Sequence, residues 1–220
     1  MKPENIDYSL YLVSDRGLSR GRTTQQIVEA ALCGGVTCVQ LREKTCSTRE
    51  FITQALSIKD HLKRQNVPLI INDRVDIAQA VNADGVHLGQ SDMPIEMAKT
   101  ILKDSMIIGI SAESLEDAVQ AEKNGADYIG VSPIYATPTK TDAASPLGLE
   151  GLREIRKSVK IPLVGIGGLN RGNAGEVINN GADGVAVVSA IVSADDPEKA
   201  ARELIKIVQQ ARRPYTDQKP

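Results

Sequence analysis

Aromatic residues are scarce in this chain, with one Phe, five Tyr and no Trp among 220 residues. A protein that stacks nucleobases needs more flat side chains than that, and a net charge of −2 offers no attraction to a phosphate backbone. Nucleic acid is therefore not an expected partner. Long apolar runs are missing too. None approaches the roughly eighteen residues of a membrane-spanning helix, so no membrane partner is expected. The N-terminal stretch reaches Asp7 and then Asp15-Arg16 too soon for the apolar part of a signal peptide. Cys33, Cys38 and Cys46 are odd in number and lack a Cys-x-x-Cys spacing, which suits reduced thiols in a cytoplasmic protein. With only His61 and His87 as nitrogen ligands, a zinc site is not expected.

A hydrophobic fraction of 41% beside 25% charged residues is ordinary for a soluble globular domain. Short β-branched runs recur along the chain at Leu10–Ser14, Cys38–Arg42, Leu69–Asn72, Gly85–Gly89, Ile107–Ile110, Tyr128–Ser132, Leu163–Ile166 and Gly184–Val188. Most are nearly continuous in hydrophobicity, as strands buried on both faces of a parallel sheet must be. Segments with helical spacing and charged outer faces lie between them, including Thr24–Leu32, Thr48–Gln65, Leu115–Lys123 and Pro197–Ala211. Asp196 before Pro197 reads as an N-cap followed by a first helical position.

Three related stretches mark the passage from helix to strand: Asn82-Ala-Asp-Gly-Val86, Asn124-Gly-Ala-Asp-Tyr-Ile-Gly-Val131 and Asn180-Gly-Ala-Asp-Gly-Val185. Gly or Asn just past a helix supplies a left-handed cap, and an apolar strand follows at once. Eight strand–helix units of about 27 residues predict an α/β fold, a single-domain (β/α)8 TIM barrel. The barrel is expected over residues 1–212, with 213–220 as a loose C-terminal tail. A doubly wound open sheet is the alternative, but no Gly-x-Gly-x-x-Gly follows an early strand.

In a barrel of this kind the chemistry sits at the carboxyl ends of the strands. Strand two ends in Gln40-Leu-Arg-Glu-Lys44, where alternation puts Gln40, Arg42 and Lys44 on one face and Leu41 on the other. Either an anion meets these cations or the strand end is simply solvated. Strands three and four end in Asn72-Asp73 and Gly89-Gln90-Ser91-Asp92, and two neighbouring carboxylates could share a magnesium ion. Taken singly, each Asp is as easily a helix N-cap. Strand six runs into a Pro- and Thr-rich loop, Tyr128–Asp142, that carries Thr137, Pro138, Thr139 and Lys140. Strand seven ends in Gly165-Ile-Gly-Gly-Leu169 and strand eight in Val188-Ser189, where glycines and backbone could receive a phosphate or merely make a turn. Two anion sites predict two phosphorylated small-molecule substrates. His87 is expected in the core and His61 on a surface helix, so no Ser-His-Asp or Cys-His arrangement is expected.

Together the blocks Gln40-Leu-Arg-Glu-Lys44, Ile71-Asn-Asp73, Val86-His-Leu-Gly-Gln-Ser-Asp92, Ala136-Thr-Pro-Thr-Lys140 and Gly165-Ile-Gly-Gly168 resemble the signature of the thiamine phosphate synthase family. The likeness covers roughly residues 8 to 210. It implies a transferase that joins 4-amino-2-methyl-5-hydroxymethylpyrimidine diphosphate to 4-methyl-5-(2-hydroxyethyl)thiazole phosphate, releasing diphosphate. It further implies that Gln40, Leu41, Arg42, Glu43, Lys44, Asn72, Ser111 and Lys140 bind the pyrimidine diphosphate, with Arg42, Lys44 and Lys140 as catalytic cations. By the same likeness Asp73 and Asp92 hold Mg2+, while Thr137, Pro138, Thr139, Gly168, Val188 and Ser189 receive the thiazole phosphate. Diphosphate departure before carbon–nitrogen bond formation would agree with the missing general base. A thiazole tautomerase is the nearest rival, and it is expected to carry a histidine just after the strand-five serine, where this chain reads Ser111-Ala-Glu113. A non-catalytic sensor of thiamine precursors on the same barrel is the other rival. A homo-oligomer is compatible with the sequence and not indicated by it.

Overall fold

Burial on both faces of each short strand, one toward the helices and one toward the lumen, is what closes this chain into a cylinder. The computed structural model describes residues 6–137 and 145–212. In chain order the elements are β1 (Leu10–Val13), α1 (Thr24–Cys33), β2 (Cys38–Leu41), α2 (Thr48–Arg64), β3 (Leu69–Asn72), α3 (Val75–Val81), β4 (Gly85–Leu88) and α4 (Ile95–Ile101). Then follow β5 (Ile107–Ala112), α5 (Leu115–Lys123), β6 (Tyr128–Val131), α6 (Gly148–Ser158), β7 (Leu163–Ile166), α7 (Ala174–Asn179), β8 (Gly184–Val187), a one-turn α8 (Ser189–Val192) and α9 (Pro197–Arg212). Each strand pairs in parallel with its neighbours, and β8 returns to β1 with Leu10 opposite Val185, so the sheet is a closed barrel of eight strands. The (β/α)8 architecture expected from the sequence is the one observed. The expected tail, residues 213–220, and the loop positions Pro138, Thr139 and Lys140 lie outside the described residues.

Two apolar layers hold the barrel. One set of strand positions faces the helices: Leu10, Leu12, Val39, Leu41, Leu69 and Ile71 pack there with Val28, Phe51, Ile58 and Leu204. The other set faces the lumen, where Tyr11, Val13, Cys38, Ile70, Ile107, Tyr128, Val164 and Ala186 form a separate cluster. A buried aliphatic side chain contributes about 1.5–3 kcal/mol relative to exposure, so the helix-facing layer is the main source of stability. The lumen cluster is smaller and includes three tyrosines, Tyr8, Tyr11 and Tyr128.

The repeated Asn/Gly-Ala-Asp segments do more than cap helices. Asn82, Gly125 and Gly181 do take the left-handed conformation, with φ of 50°, 79° and 105°. The aspartate that follows then reaches back to the preceding strand. Asp84 Oδ2 accepts from Leu69 N (2.8 Å), Asp127 Oδ2 from Ile108 N (2.7 Å) and Asp183 Oδ2 from Leu163 N (2.8 Å). Each carboxylate thereby satisfies an N–H at the start of a strand that has no earlier ladder partner. β3, β5 and β7 are pinned in this way near their N-terminal ends, and the opposite, carboxyl ends are left to the loops. Asp196 caps α9 as expected, accepting from Lys199 N at 2.9 Å.

Candidate active site

A cavity of about 660 Å³ opens at the carboxyl ends of the strands and reaches down to the lumen tyrosines. Its β2–β4 side is charged. Arg42, just past β2, donates from Nη1 to Asp15 at 3.0 Å, and its backbone N–H donates to Ser14 Oγ at 2.9 Å. Two residues further, Lys44 Nζ meets Asp73 Oδ2 at 2.6 Å. Asp73 sits in the left-handed region at φ 61°, a conformation that Asp tolerates better than most residues, and its N–H donates to His87 O at 2.8 Å. This turn brings its carboxylate against that of Asp92.

Burial holds the Asp92 carboxyl above the usual carboxylate range, reinforced by a hydrogen bond and charge repulsion from Asp73, while the N–H of Gly89 and Lys44 act against the shift. Asp92 Oδ2 accepts that Gly89 N–H at 2.7 Å. Neither aspartate is a helix cap: the N-cap positions of α3 and α4 are Arg74 and Pro94, and neither makes a side-chain capping bond. Two carboxylates pressed together at a cavity mouth could hold a divalent cation of the kind that keeps water and substrate oxygens as its other ligands. Among the described residues no group of three or more His, Cys, Asp or Glu side chains converges on one metal position, so a zinc-type site is not present there. Beside the pair, Asn72 is 7% exposed, and its Nδ2 finds no hydrogen-bond acceptor among the described residues. A buried amide donor left unpaired costs about 1–3 kcal/mol unless a ligand oxygen meets it.

The opposite side, β6 to β8, is built from backbone. Gly167 and Gly168 have φ of 101° and 66°. A Cβ on Gly168 would lie 2.7 Å from Ala136 O, so only glycine lets the end of β7 lie against the loop that follows β6. That loop is docked by Ile134 N to Ile166 O (2.8 Å) and Tyr135 N to Gly167 O (3.1 Å). Thr137, Gly168, Val188 and Ser189 all line the cavity here, with α8 beginning at Ser189.

Of the residues singled out in the sequence, Gln40, Arg42, Lys44, Asn72, Asp73, Asp92, Ser111, Thr137, Gly168, Val188 and Ser189 are brought together around this one cavity. Leu41 and Glu43 are not. Leu41 has no exposure and packs on the helix-facing side, as strand alternation requires. The Glu43 side chain is 4% exposed and turns to Arg16 Nε at 3.5 Å, away from the cavity. β5 runs two residues beyond its expected end, and this extension carries Ser111 on the lumen side.

Tyr11, Tyr128 and His87 also line the cavity and were not among the expected site residues. They lie inside strands, and only closure of the barrel brings them into contact. His87 Nε2 is 2.9 Å from Ser111 Oγ, and Nδ1 is 2.9 Å from Tyr128 OH. His87 is thus a buried residue in polar contact with Ser111 and Tyr128. It lacks the carboxylate that orients a catalytic imidazole, and burial pushes His87 down to about 4, too low for a base at neutral pH.

A closed parallel barrel whose strand ends bring two cations and two carboxylates to one cavity is the layout of a (β/α)8-barrel enzyme. A family model for thiamine monophosphate synthase matches residues 10–191, and the chain belongs to that family, a family of transferases. It is 55% identical over 203 residues to the thiamine-phosphate synthase of Chloroflexus aurantiacus, covering 92% of this chain and 94% of that one. It is 54% identical over 199 residues to that of Albidiferax ferrireducens, covering 90% and 91%. A solved thiamine phosphate pyrophosphorylase from Pyrococcus furiosus superposes with a TM-score of 0.88 at 45% identity, covering 94% of this chain and 98% of that one. Among the described residues no helix is long and apolar enough to cross a membrane.

Proposed function

We propose that this transferase joins 4-amino-2-methyl-5-hydroxymethylpyrimidine diphosphate to 4-methyl-5-(2-hydroxyethyl)thiazole phosphate, forming thiamine phosphate and releasing diphosphate. The observation that carries this reading is the convergence of Asp73, Asp92, Lys44, Arg42 and the unpaired Asn72 amide on one cavity wall. Asp73 and Asp92 hold Mg2+, which when bound supplies positive charge to the departing diphosphate. Arg42 and Lys44 bind the diphosphate oxygens, Asn72 Nδ2 donates to one of them, and Lys140 of the β6–α6 loop adds a third cation. Gln40 and Ser111, deeper in the lumen, hold the pyrimidine. Across the cavity Thr137, Gly168, Val188 and Ser189 receive the thiazole phosphate, where strands seven and eight of such barrels commonly bind phosphate, and Thr139 is assigned to the same phosphate by the sequence.

No side chain needs to abstract a proton before the leaving group departs. The low basicity of His87 fits that course. The wall charges also weigh against a tautomerase or a sensor, which have no use for a carboxylate pair beside two cations. Three cysteines without a disulfide, of which Cys38 is buried, agree with a cytoplasmic setting. The test is to incubate purified protein with both substrates and Mg2+ and to follow thiamine phosphate and diphosphate. Equimolar formation of the two is expected, and no product from either mixture would remove the reading.

A further inference from the structure

A line of hydrogen bonds crosses the barrel lumen beneath the cavity, joining residues of five strands, β1 and β2 on one side and β4, β5 and β6 on the other. Gln40 Nε2 on β2 donates to Tyr11 OH on β1 at 3.1 Å. Tyr11 OH and Tyr128 OH are 2.8 Å apart. Tyr128 OH then meets His87 Nδ1, and His87 Nε2 meets Ser111 Oγ, each at 2.9 Å. The three central groups are buried, with Tyr11 at 1%, Tyr128 at 0% and His87 at 9% exposure. Glycine makes room for them. A Cβ on Gly109 would lie 2.1 Å from Tyr128 Cζ, and one on Gly130 would lie 3.0 Å from His87 Cε1.

Proton counting gives the line a direction. Each tyrosine hydroxyl has one proton, and a neutral imidazole has one N–H. Since Tyr11 OH accepts from Gln40, its own proton goes to Tyr128 OH. Tyr128 must then give its proton to His87 Nδ1, which leaves the imidazole proton on Nε2, donated to Ser111 Oγ. Two consequences follow at the ends. With its amide nitrogen turned to Tyr11, Gln40 presents Oε1, an acceptor, to the cavity. Ser111 Oγ, already accepting from His87, has its hydroxyl proton left to donate.

We propose that Tyr11, Tyr128 and His87 are positioning residues that polarise the cavity floor, fixing Gln40 as an acceptor and Ser111 as a donor and so selecting an amino- over an oxo-pyrimidine. The proposal rests on the pyrimidine reading given above. An aminopyrimidine offers an exocyclic N–H donor and ring-nitrogen acceptors, complementary in type to this acceptor and this donor. The corresponding pyrimidinone carries a carbonyl beside a ring N–H and presents the reverse. Reversing the floor to fit it requires every bond in the line to turn over together. A buried polar group left unpaired by a mismatch is what makes such discrimination effective.

The direct test is the tautomer of His87, read by nitrogen-15 NMR on the full chain, with His61→Asn removing the other histidine signal. A proton on Nε2 and none on Nδ1 is expected, with the preference lost in Tyr128→Phe. A proton on Nδ1 in the unsubstituted protein overturns the proposal. The functional arm compares amino- and oxo-pyrimidine monophosphates as inhibitors. Tyr11→Phe is expected to lower the ratio of their inhibition constants by about tenfold while leaving the KM of the thiazole phosphate unchanged. A lowered Tm with unchanged discrimination shows a merely structural tyrosine and also overturns the proposal. If the unsubstituted chain makes no thiamine phosphate, the reading of function fails instead, and the tautomer still decides the direction of the line.

Discussion

The rim and the floor of the cavity do opposite things with polarity. At the rim, Arg42, Lys44, Asp73 and Asp92 are charged, partly solvated and paired across strand ends, with the Lys44 side chain 52% exposed. On the floor, Tyr11, Tyr128, His87 and Gln40 are buried, and His87 is held neutral. Charge at the rim can answer a large change of charge in the ligand, such as a diphosphate that leaves. A neutral line on the floor has little to offer a departing anion but holds donors and acceptors in fixed places. On the proposed function, the barrel separates the part that would work on the leaving group from the part that would identify the ring.

This contrast can be broken from either side. The largest effect is expected at the rim: Asp73→Asn or Asp92→Asn should lower the rate of thiamine phosphate formation by about 100-fold or more, with little change in Tm, because Asn keeps the left-handed φ of 61° at position 73 and neither side chain caps a helix. A steady-state assay beside a thermal melt checks this. Lys44→Ala should follow, raising the KM of the pyrimidine diphosphate by about tenfold, the scale of one charge-assisted contact. Added salt should mimic it, since exposed charges are screened, while leaving the floor unaffected.

On the glycine side, Gly168→Ala forces a side chain into φ 66° and against Ala136 O, at a cost of about 1–3 kcal/mol. A raised KM for the thiazole phosphate and a lowered Tm should appear together. The floor should show itself most quietly, in the dependence of stability on pH. The folded protein holds His87 near 4, below its usual value, so the unfolded chain binds the proton more readily. Stability from this group is therefore complete above about pH 6.5 and is lost as pH falls toward 4. Between pH 7 and pH 5 the loss is about 2 kcal/mol. Urea titrations at the two pH values should show that slope in the parent protein and a smaller one in His87→Gln.

What could be read in the sequence follows from the range over which each signal acts. The strands were legible because eight short β-branched runs must be buried on both faces, and their order then fixes which ends meet at the cavity. Lys44, Asp73, Asp92 and Gly168 were legible for the same reason: a polar or left-handed residue directly after such a run stands at the mouth. Leu41 and Glu43 entered the expected site only as members of a contiguous block, and strand alternation and Arg16 turn their side chains elsewhere. The Tyr11–Tyr128–His87 line has no local signature, because its members are 117 and 41 residues apart and meet only across the closed lumen. Even so, Gly109 and Gly130, small residues on strands beside bulky ones, were a trace of the space it needs.

The claim on which the account turns is that a cation held by Asp73 and Asp92 serves the departing diphosphate. Initial rates of thiamine phosphate formation, measured on chelator-stripped protein as Mg2+ is added back, test it most directly. The account predicts a rate near zero without metal, rising to saturation in the parent and remaining low in Asp92→Ala. A full rate in the presence of chelator, or a normal Mg2+ response in that variant, would contradict it.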